Sequence, residues 1–189
     1  MELISFNNPD FEKYWDNLWL NSRIMNSLYS TIMMSYYKSI KNDKYEELSF
    51  IVCDKSIPII GLRITKITNY KNKTLFSFYG DQPSIYIEND KVDKKIKKKA
   101  FSIVKNHITK LLEEEDLWDW THSDPICGNL LSELSHFFLK KHNGQPVLMN
   151  VRRLDLSLNE DEIIREFSKG LKQSIKWGME NLKSSILYG

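Results

Sequence analysis

The loop from Trp118 to Gly128 brings together side chains that could bind a metal ion or form a Cys/His nucleophile pair. Asp119, His122, Asp124 and Cys127 stand within this short span, and an imidazole beside a thiol can activate it for covalent catalysis. Their spacing matches no known ligand motif. A connection from a strand to a helix also collects Asp, His, Pro and Gly as turn and capping residues, so a turn is the favoured interpretation.

Tyr79 and Asp81 are the strongest candidates for the edge of a binding pocket. They flank Gly80 where a predicted strand gives way to a loop, and such positions often line pockets. The alternative is a simple turn, in which Gly80 supplies a positive φ and Asp81 bonds the backbone. Tyr79 and Asp81 are therefore our candidate substrate-binding residues, although the simple turn is the favoured interpretation.

Lysine residues crowd one predicted helix. They are Lys91, Lys94, Lys95, Lys97, Lys98, Lys99, Lys105 and Lys110. Such a face could hold phosphate groups by releasing counterions. No arginine or stacking aromatic interrupts the central run and an acidic run follows the helix, so a solvated face is favoured over a nucleic-acid site.

Composition excludes several classes of protein. With 189 residues and 41% hydrophobic content the chain can build a sizeable core, and its formal net charge of +2 gives no general attraction to nucleic acid or anionic membrane. Cys53 and Cys127 lie far apart, which predicts reduced, mostly buried thiols and neither a disulfide framework nor a zinc site. No signal peptide or membrane span is apparent, so we expect a cytoplasmic protein.

The hydrophobic periodicity predicts the elements that position these residues. Asn8-Pro9-Asp10 begins a first helix, the spacing of Ile32, Met33, Tyr36 and Ile40 indicates a second, and both helices are expected to precede any strand. Runs of β-forming residues between Leu48 and Ile87 predict an antiparallel meander.

A helix from Val92 to Leu112 should pack on the meander through a face that includes Ile96, Ile103 and Ile108. A short strand at 117–120, a helix at 130–141 and a strand at 147–151 follow. The last predicted helix begins at a capping box formed by Ser157 and Glu160. We therefore predict an α+β fold with a first lobe at 1–151 and, at 152–189, a helix and the start of an incomplete second lobe.

Three stretches, taken in this order, resemble the Fem-type acyltransferase family, whose members contain paired GNAT-like lobes and include enzymes that add amino acids to peptidoglycan precursors. They are the opening helices (15–40), the central strands with their turn (57–65 and 74–87), and an "Asp-Leu-Ser, acidic helix start, basic helix" passage (152–182). In that passage Lys172 stands where the family commonly has an arginine, and Ile175-Lys176 matches an isoleucine-basic pair.

The resemblance implies a GNAT-like first lobe and a transferase that passes an acyl group from acyl-CoA or aminoacyl-tRNA to an amine of a bacterial cell-envelope or surface-sugar precursor. It also implies substrate binding by Lys172 and Lys176, although lysine offers a point charge where arginine offers a fork. The glycine-rich loop by which GNAT enzymes bind the pyrophosphate of acyl-CoA is absent from the sequence, which argues against acyl-CoA binding by this lobe. No catalytic residue follows from the resemblance.

A non-catalytic binding module on a GNAT-like scaffold is the alternative, because a fold does not fix a function. The chain stops soon after the last predicted helix, so we expect it to have no transferase activity alone. Ile163, Ile164, Phe167, Leu171 and Ile175 form a stripe on the 160–182 helix that requires a partner, either the first lobe, a second copy or another protein. A reading frame that continues past Gly189 would favour the enzyme fragment.

The lysine-rich face is expected to be idle in function. Replacing Lys95, Lys98 and Lys99 together with glutamine should change the free energy of unfolding by less than about 1 kcal/mol, because exposed charges contribute little. Urea denaturation of the two proteins measures this. Salt-sensitive RNA binding that disappears in the triple variant would instead establish the face as a binding site.

Overall fold

The described part of the chain folds into two β-sheets flanked by helices. The computed structural model describes residues 1–22, 29–41, 45–80, 82–123, 131–145, 165 and 169–181. The chain divides into two units, Met1–Gln145 and Pro146–Gly189. The first is an α+β unit with antiparallel sheets flanked by helices, which confirms the predicted fold class.

The described residues contain eight strands and five helices, named in chain order. Strands β1 to β8 span Glu2–Ser5, Glu46–Glu47, Phe50–Asp54, Ile57–Arg63, Thr65–Tyr70, Lys73–Ser77, Ile85–Glu88 and Trp118–Trp120. Helices α1 to α5 span Phe11–Leu20, Thr31–Lys41, Lys94–Glu113, Glu133–Lys141 and Lys169–Asn181.

The strands form two four-stranded sheets, with orders β1-β3-β4-β7 and β2-β5-β6-β8. Every pairing is antiparallel except that of β6 with β8, which is parallel. Only Ile64 separates β4 from β5, so the chain passes directly from the first sheet into the second. The predicted antiparallel pairing of the strands between Leu48 and Ile87 is confirmed, but these strands divide between two sheets where a single meander was predicted.

Two tight turns each join a pair of neighbouring antiparallel strands. Lys55 and Ser56 join β3 to β4, and Lys71 and Asn72 join β5 to β6; all four residues have positive φ angles between 49° and 66°. Two consecutive residues with positive φ are typical of type I′ turns, whose twist matches that of the strands they connect.

The first sheet is covered on both faces, which explains why β3 is apolar at consecutive positions. Phe50 and Val52 pack with α3 in one cluster, whereas Ile51 and Cys53 pack with α1 and α2 in another. Within α3, Ile108 is buried, and Ile96 and Ile103 pack half-buried against the first cluster. These contacts confirm the predicted packing of the lysine-rich helix.

The expectation that two helices precede any strand is wrong. Strand β1 comes first and pairs with β3 at the edge of the first sheet, from Glu2 opposite Cys53 to Ser5 opposite Phe50. With four residues and only Ile4 buried, β1 is too short to show a clear alternation of polar and apolar side chains.

Helix α2 is confirmed, but the side chains that indicated it are not those it buries. Ile32, Tyr36 and Ile40 are exposed, whereas Met34 is buried and Tyr37 packs against the α1 cluster. The helix carries apolar residues around most of its circumference, so periodicity alone could not select the inward face.

Cys53 is a buried free thiol, as predicted, and Cys127 lies outside the described residues. Burial, and secondarily the charge of Glu2, raises the pKa of the Cys53 thiol to about 11. The predicted strand at 147–151, the capping box and the side chains of the apolar stripe on the last helix also lie outside the described residues. No helix in the described part of the chain is long and apolar enough to cross a membrane.

An ion pair fastens the second sheet to the end of α3. Glu115 Oε1 lies 2.5 Å from Lys66 Nζ of β5. The other carboxylate oxygen, Oε2, accepts a 2.5 Å hydrogen bond from the Thr74 hydroxyl of β6. The hydrogen bond from Lys66, followed by that from Thr74, lowers the pKa of Glu115. The carboxylate form is therefore favoured in the folded state.

Replacing Glu115 with glutamine should destabilise the protein by about 1 kcal/mol or more at pH 7, since hydrogen bonds to charged groups contribute more than neutral ones. The depressed pKa makes this contribution complete above the unfolded pKa near 4.5, and it disappears as the pH falls through the folded value. Urea denaturation from pH 7 down to pH 3 measures the difference in the free energy of unfolding between the wild type and Glu115→Gln. Glu46→Gln is the matched control, because Glu46 contacts the same lysine at 3.8 Å from an exposed position; a gap for Glu115→Gln that widens on acidification would contradict this account.

Candidate functional site

The turn after β6 lies beside the junction of the two sheets. Thr65, the first residue of β5, is opposite Ser77 at the end of β6. Its hydroxyl donates to the Ser77 carbonyl oxygen at 3.1 Å and accepts from the Tyr79 backbone N–H at 2.9 Å. The buried threonine thereby fixes the backbone of Tyr79.

Tyr79 and Gly80 both adopt positive φ angles, 49° and 80°. This conformation is strained for a bulky aromatic residue and persists only where the surroundings impose it. The Ser77 hydroxyl accepts from the Gly80 N–H at 2.8 Å, and a Cβ at position 80 would collide with the Tyr45 hydroxyl. The predicted use of Gly80 for a positive φ is confirmed, and Asp81 lies outside the described residues.

The side chain of Tyr79 is anchored to a carboxylate. Its hydroxyl donates to Glu47 Oε2 at 2.8 Å. The Ser49 hydroxyl donates to the other oxygen of Glu47 and accepts from the Ile64 N–H at 2.9 Å. Burial, and next the negative charge of Glu47, raises the pKa of the Tyr79 phenol, so Tyr79 is a neutral donor that holds Glu47 in one orientation.

Aromatic rings surround the Tyr79 side chain. Tyr37 of α2 stacks on it with ring centroids 6.4 Å apart and planes inclined by 10°. Tyr45 and Phe78 meet it edge to face at 5.8 and 4.9 Å. The faces of such rings are negative, so they attract cations as well as apolar groups.

Arg63 is the most deeply buried charged group near this turn, with 1% of its surface exposed. Its Nη2 donates to Glu12 Oε2 of α1 at 2.9 Å, and its guanidinium carbon lies 4.6 Å from the Phe11 ring centroid and 4.7 Å from that of Trp15. Burial lowers the pKa of Arg63, and the charges of Glu12 and then Glu47 oppose that shift. Arginine stays charged under such conditions.

We call these five residues the Tyr79 cluster: Glu12, Glu47, Ser49, Arg63 and Tyr79. Two carboxylates and one guanidinium leave it with one formal negative charge. Glu47 is half-buried, and carboxylates in general can pair with a cation or act as a general base.

The other predicted binding residues, Lys172 and Lys176, belong to α5 in the second unit, whereas Tyr79 belongs to the first. Both lysines are exposed; Lys172 Nζ donates to the Arg165 carbonyl oxygen at 3.0 Å, and Lys176 Nζ lies 4.0 Å from Glu180. Within the described residues these contacts stabilise the helix itself.

The loop after β8 forms no accessible nucleophile pair in its described part. His122 Nδ1 lies 3.1 Å from the hydroxyl of Ser84, which also accepts from Trp120 Nε1 at 3.1 Å, and Ser84 is buried. Asp119 is exposed and pairs with Lys73. Asp124 and Cys127 lie outside the described residues, and no group of three metal-ligating side chains occurs among those described.

Sequence reasoning named Tyr79 and did not name the charged residues around it. Arg63 interrupts the apolar run IIGLRI of β4, and a charge at such a position requires a partner when it is buried. A charged residue within an apolar strand was therefore the feature of the sequence that could have indicated Arg63. Its partner Glu12 is 51 positions away, a separation from which no local pattern can identify it.

No known family profile, no curated protein and no solved structure matches this chain.

The hydrogen bond between Tyr79 and Glu47 is expected to be strongly coupled to the rest of the cluster. A double-mutant cycle with Tyr79→Phe and Glu47→Gln should give a coupling energy of about 1 kcal/mol or more, because the carboxylate is also held by Ser49 and lies in the field of buried Arg63. Urea denaturation of the four proteins measures it.

The matched control is the cycle with Tyr86→Phe and Glu88→Gln. Tyr86 donates to Glu88 at 2.7 Å, and Lys97 also neutralises that carboxylate, at 3.6 Å. We expect a smaller coupling there. Equal coupling energies in the two cycles would remove the distinction between the Tyr79 cluster and another tyrosine–carboxylate pair of the same chain.

Proposed function

We propose that this chain is a component of a Fem-like acyl- or aminoacyl-transferase that acts on an amine of an envelope or surface-sugar precursor in the cytoplasm. The proposal rests on the resemblance of the sequence to that family and treats the first unit as a GNAT-like lobe. It is supported by an α+β unit whose antiparallel strands are flanked by helices.

The observation that carries the proposal is the fixed carboxylate of Glu47 beside the tyrosine rings. An amine acceptor arrives as an ammonium ion, and it must lose a proton before its nitrogen can attack an acyl carbon. Hydroxyl groups hold both oxygens of Glu47, and the Glu47 side chain is only half-buried, so an ammonium ion can pair with it from the solvent side. We assign Glu47 the role of binding the ammonium group and accepting its proton.

Tyr79 is a positioning residue in this scheme. Its phenol keeps Glu47 in place, and its strained backbone holds the ring against Tyr37 and Tyr45. Lys172, Lys176 and Asp81 remain proposed substrate-binding residues, and the 160–182 helix remains a proposed surface for self-association or a partner protein. The donor is acyl-CoA or aminoacyl-tRNA, and the missing glycine-rich loop favours binding of the donor outside this lobe.

The experiment is a binding titration of the whole chain with n-propylamine, a minimal primary amine, followed by tyrosine fluorescence and NMR. We expect saturable binding that weakens about tenfold or more in Glu47→Gln, because the variant removes the charge that the ammonium group pairs with. Glu46→Gln, an exposed neighbour one position away, should bind as the wild type does. Loss of binding in both variants, or in neither, would refute the assignment to Glu47.

Turnover distinguishes the enzyme from the alternative, a binding module on the same scaffold. With acyl-CoA or aminoacyl-tRNA as donor, the chain alone should bind amine and form no product, whereas addition of the partner that supplies the donor site should give turnover that depends on Glu47. Amine binding that never leads to product with either donor favours the binding module. Product formed by the chain alone and lost on replacement of Lys172 would contradict our prediction that a complete active site requires more than this chain.

A further inference from the structure

Arg63 has more hydrogen-bonding capacity than its surroundings use. A guanidinium carries five N–H donors, and buried donors are nearly always paired. Within the described residues Arg63 is fully buried, its Nη2 bonds Glu12, and its Nε makes no hydrogen bond. An unpaired buried donor on a charged side chain indicates a place for another acceptor.

The unpaired donor lies on a specific edge of the guanidinium. The Nε–H and one Nη2–H point the same way, and a carboxylate that approaches this edge binds both of them side-on. Glu12 places Oε2 at 2.9 Å from Nη2 and leaves Nε unpaired. Of the two nitrogens on this edge, Glu12 therefore pairs with Nη2 alone.

Glu12 reaches Arg63 from the surface. Its side chain is 49% exposed and belongs to the first turn of α1, so it can turn into solvent without disturbing the core. A ligand carboxylate that replaces Glu12 leaves the buried guanidinium paired, so the exchange avoids the cost of an unpaired buried charge. The position that Glu12 occupies is also the route by which a ligand would reach the buried guanidinium.

Aromatic rings and a second cation shape this route. The Arg63 guanidinium carbon lies 5.7 Å from the Phe6 ring centroid, and Lys38 Nζ of α2 lies 4.9 Å from the same ring. The rings of Phe11 and Trp15 form the inner wall. Apolar walls strengthen any ionic bond made to Arg63, and Lys38 adds positive charge near the entrance.

We propose that Arg63 recognises the carboxylate of a ligand and that Glu12 takes the place of that carboxylate in the unliganded protein. The ligand carboxylate binds Nε and Nη2 side-on as Glu12 moves into solvent. Joined to the proposed function, on which this step rests, the inference names the acceptor class: a molecule with both an amine for Glu47 and a carboxylate for Arg63, as in an amino acid or the end of a peptide.

The test follows the Arg63 Nε–H resonance by NMR in the full chain, assigned with Arg63→Lys. The probes are propionate, inorganic phosphate, n-propylamine and β-alanine. We expect propionate to shift this resonance saturably and β-alanine to bind more tightly than propionate. Glu12→Gln should strengthen propionate binding about tenfold by removing a competing charge, whereas Glu46→Gln should leave it unchanged.

The outcomes separate this inference from the proposed function. No propionate response in either the wild type or Glu12→Gln overturns the inference, and a response to phosphate alone assigns Arg63 to phosphate and overturns it too. If n-propylamine still binds in a Glu47-dependent way in those cases, the proposed function stands without the carboxylate. Propionate binding without any amine response supports Arg63 as a carboxylate site and counts against Glu47. If Arg63→Lys fails to fold, propionate affinity in the wild type and in Glu12→Gln still tests the inference, because only Glu12→Gln is expected to bind propionate more tightly.

Discussion

The contact between Trp15 and Gly61 determines how the first unit is assembled. Trp15 is fully buried, and a Cβ on Gly61 would lie 2.7 Å from its ring and from a methyl group of Leu18. Glycine thus allows α1 to lie directly on β4. The indole N–H donates to the Tyr29 carbonyl oxygen at 2.8 Å, just before α2, and the ring lies against the guanidinium of Arg63. One aromatic side chain therefore joins two helices, the sheet and the buried charge.

The register of the second sheet brings Glu47 close to the turn that carries Tyr79. Glu47 is opposite Thr65, and Thr65 is opposite Ser77, so the carboxylate and the turn that carries Tyr79 lie on either side of one threonine. Arg63 lies two positions before Thr65, across the change from one sheet to the other. A shift of one residue in any of these pairings would reverse the side chains and separate the cluster. The two-residue turn between β5 and β6 fixes the register in which Thr65 pairs with Ser77.

Regular patterns in the sequence predicted the parts of the fold that repeat locally. Alternation of polar and apolar residues predicted the antiparallel strands, and apolar residues spaced three and four apart predicted α3. Strand β1 was not predicted because four residues are too few to show an alternation of polar and apolar side chains. The buried face of α2 was not predicted because the apolar residues of this helix point in several directions. Ile32 and Met34 are two of them. Tyr79 could be chosen from its place after a strand, but the partnership of Arg63 with Glu12 depends on tertiary packing, which no local pattern contains.

The parallel pairing of β8 with β6 has a consequence for the order of folding. Strands β3 and β4 meet through a turn of two residues, as do β5 and β6, and hairpins of this kind form within microseconds. Thr74 and Trp118, which are opposite each other in the parallel pair, are separated by roughly 40 residues that include the whole of α3, and closing so long a loop costs entropy before any contact repays it. The outer edge of the second sheet therefore joins after the meander and its covering helix have formed. In hydrogen exchange, the amides of Trp118–Trp120 should be the earliest of the sheet to lose protection, while those of β3 and β4 report the opening of the whole unit.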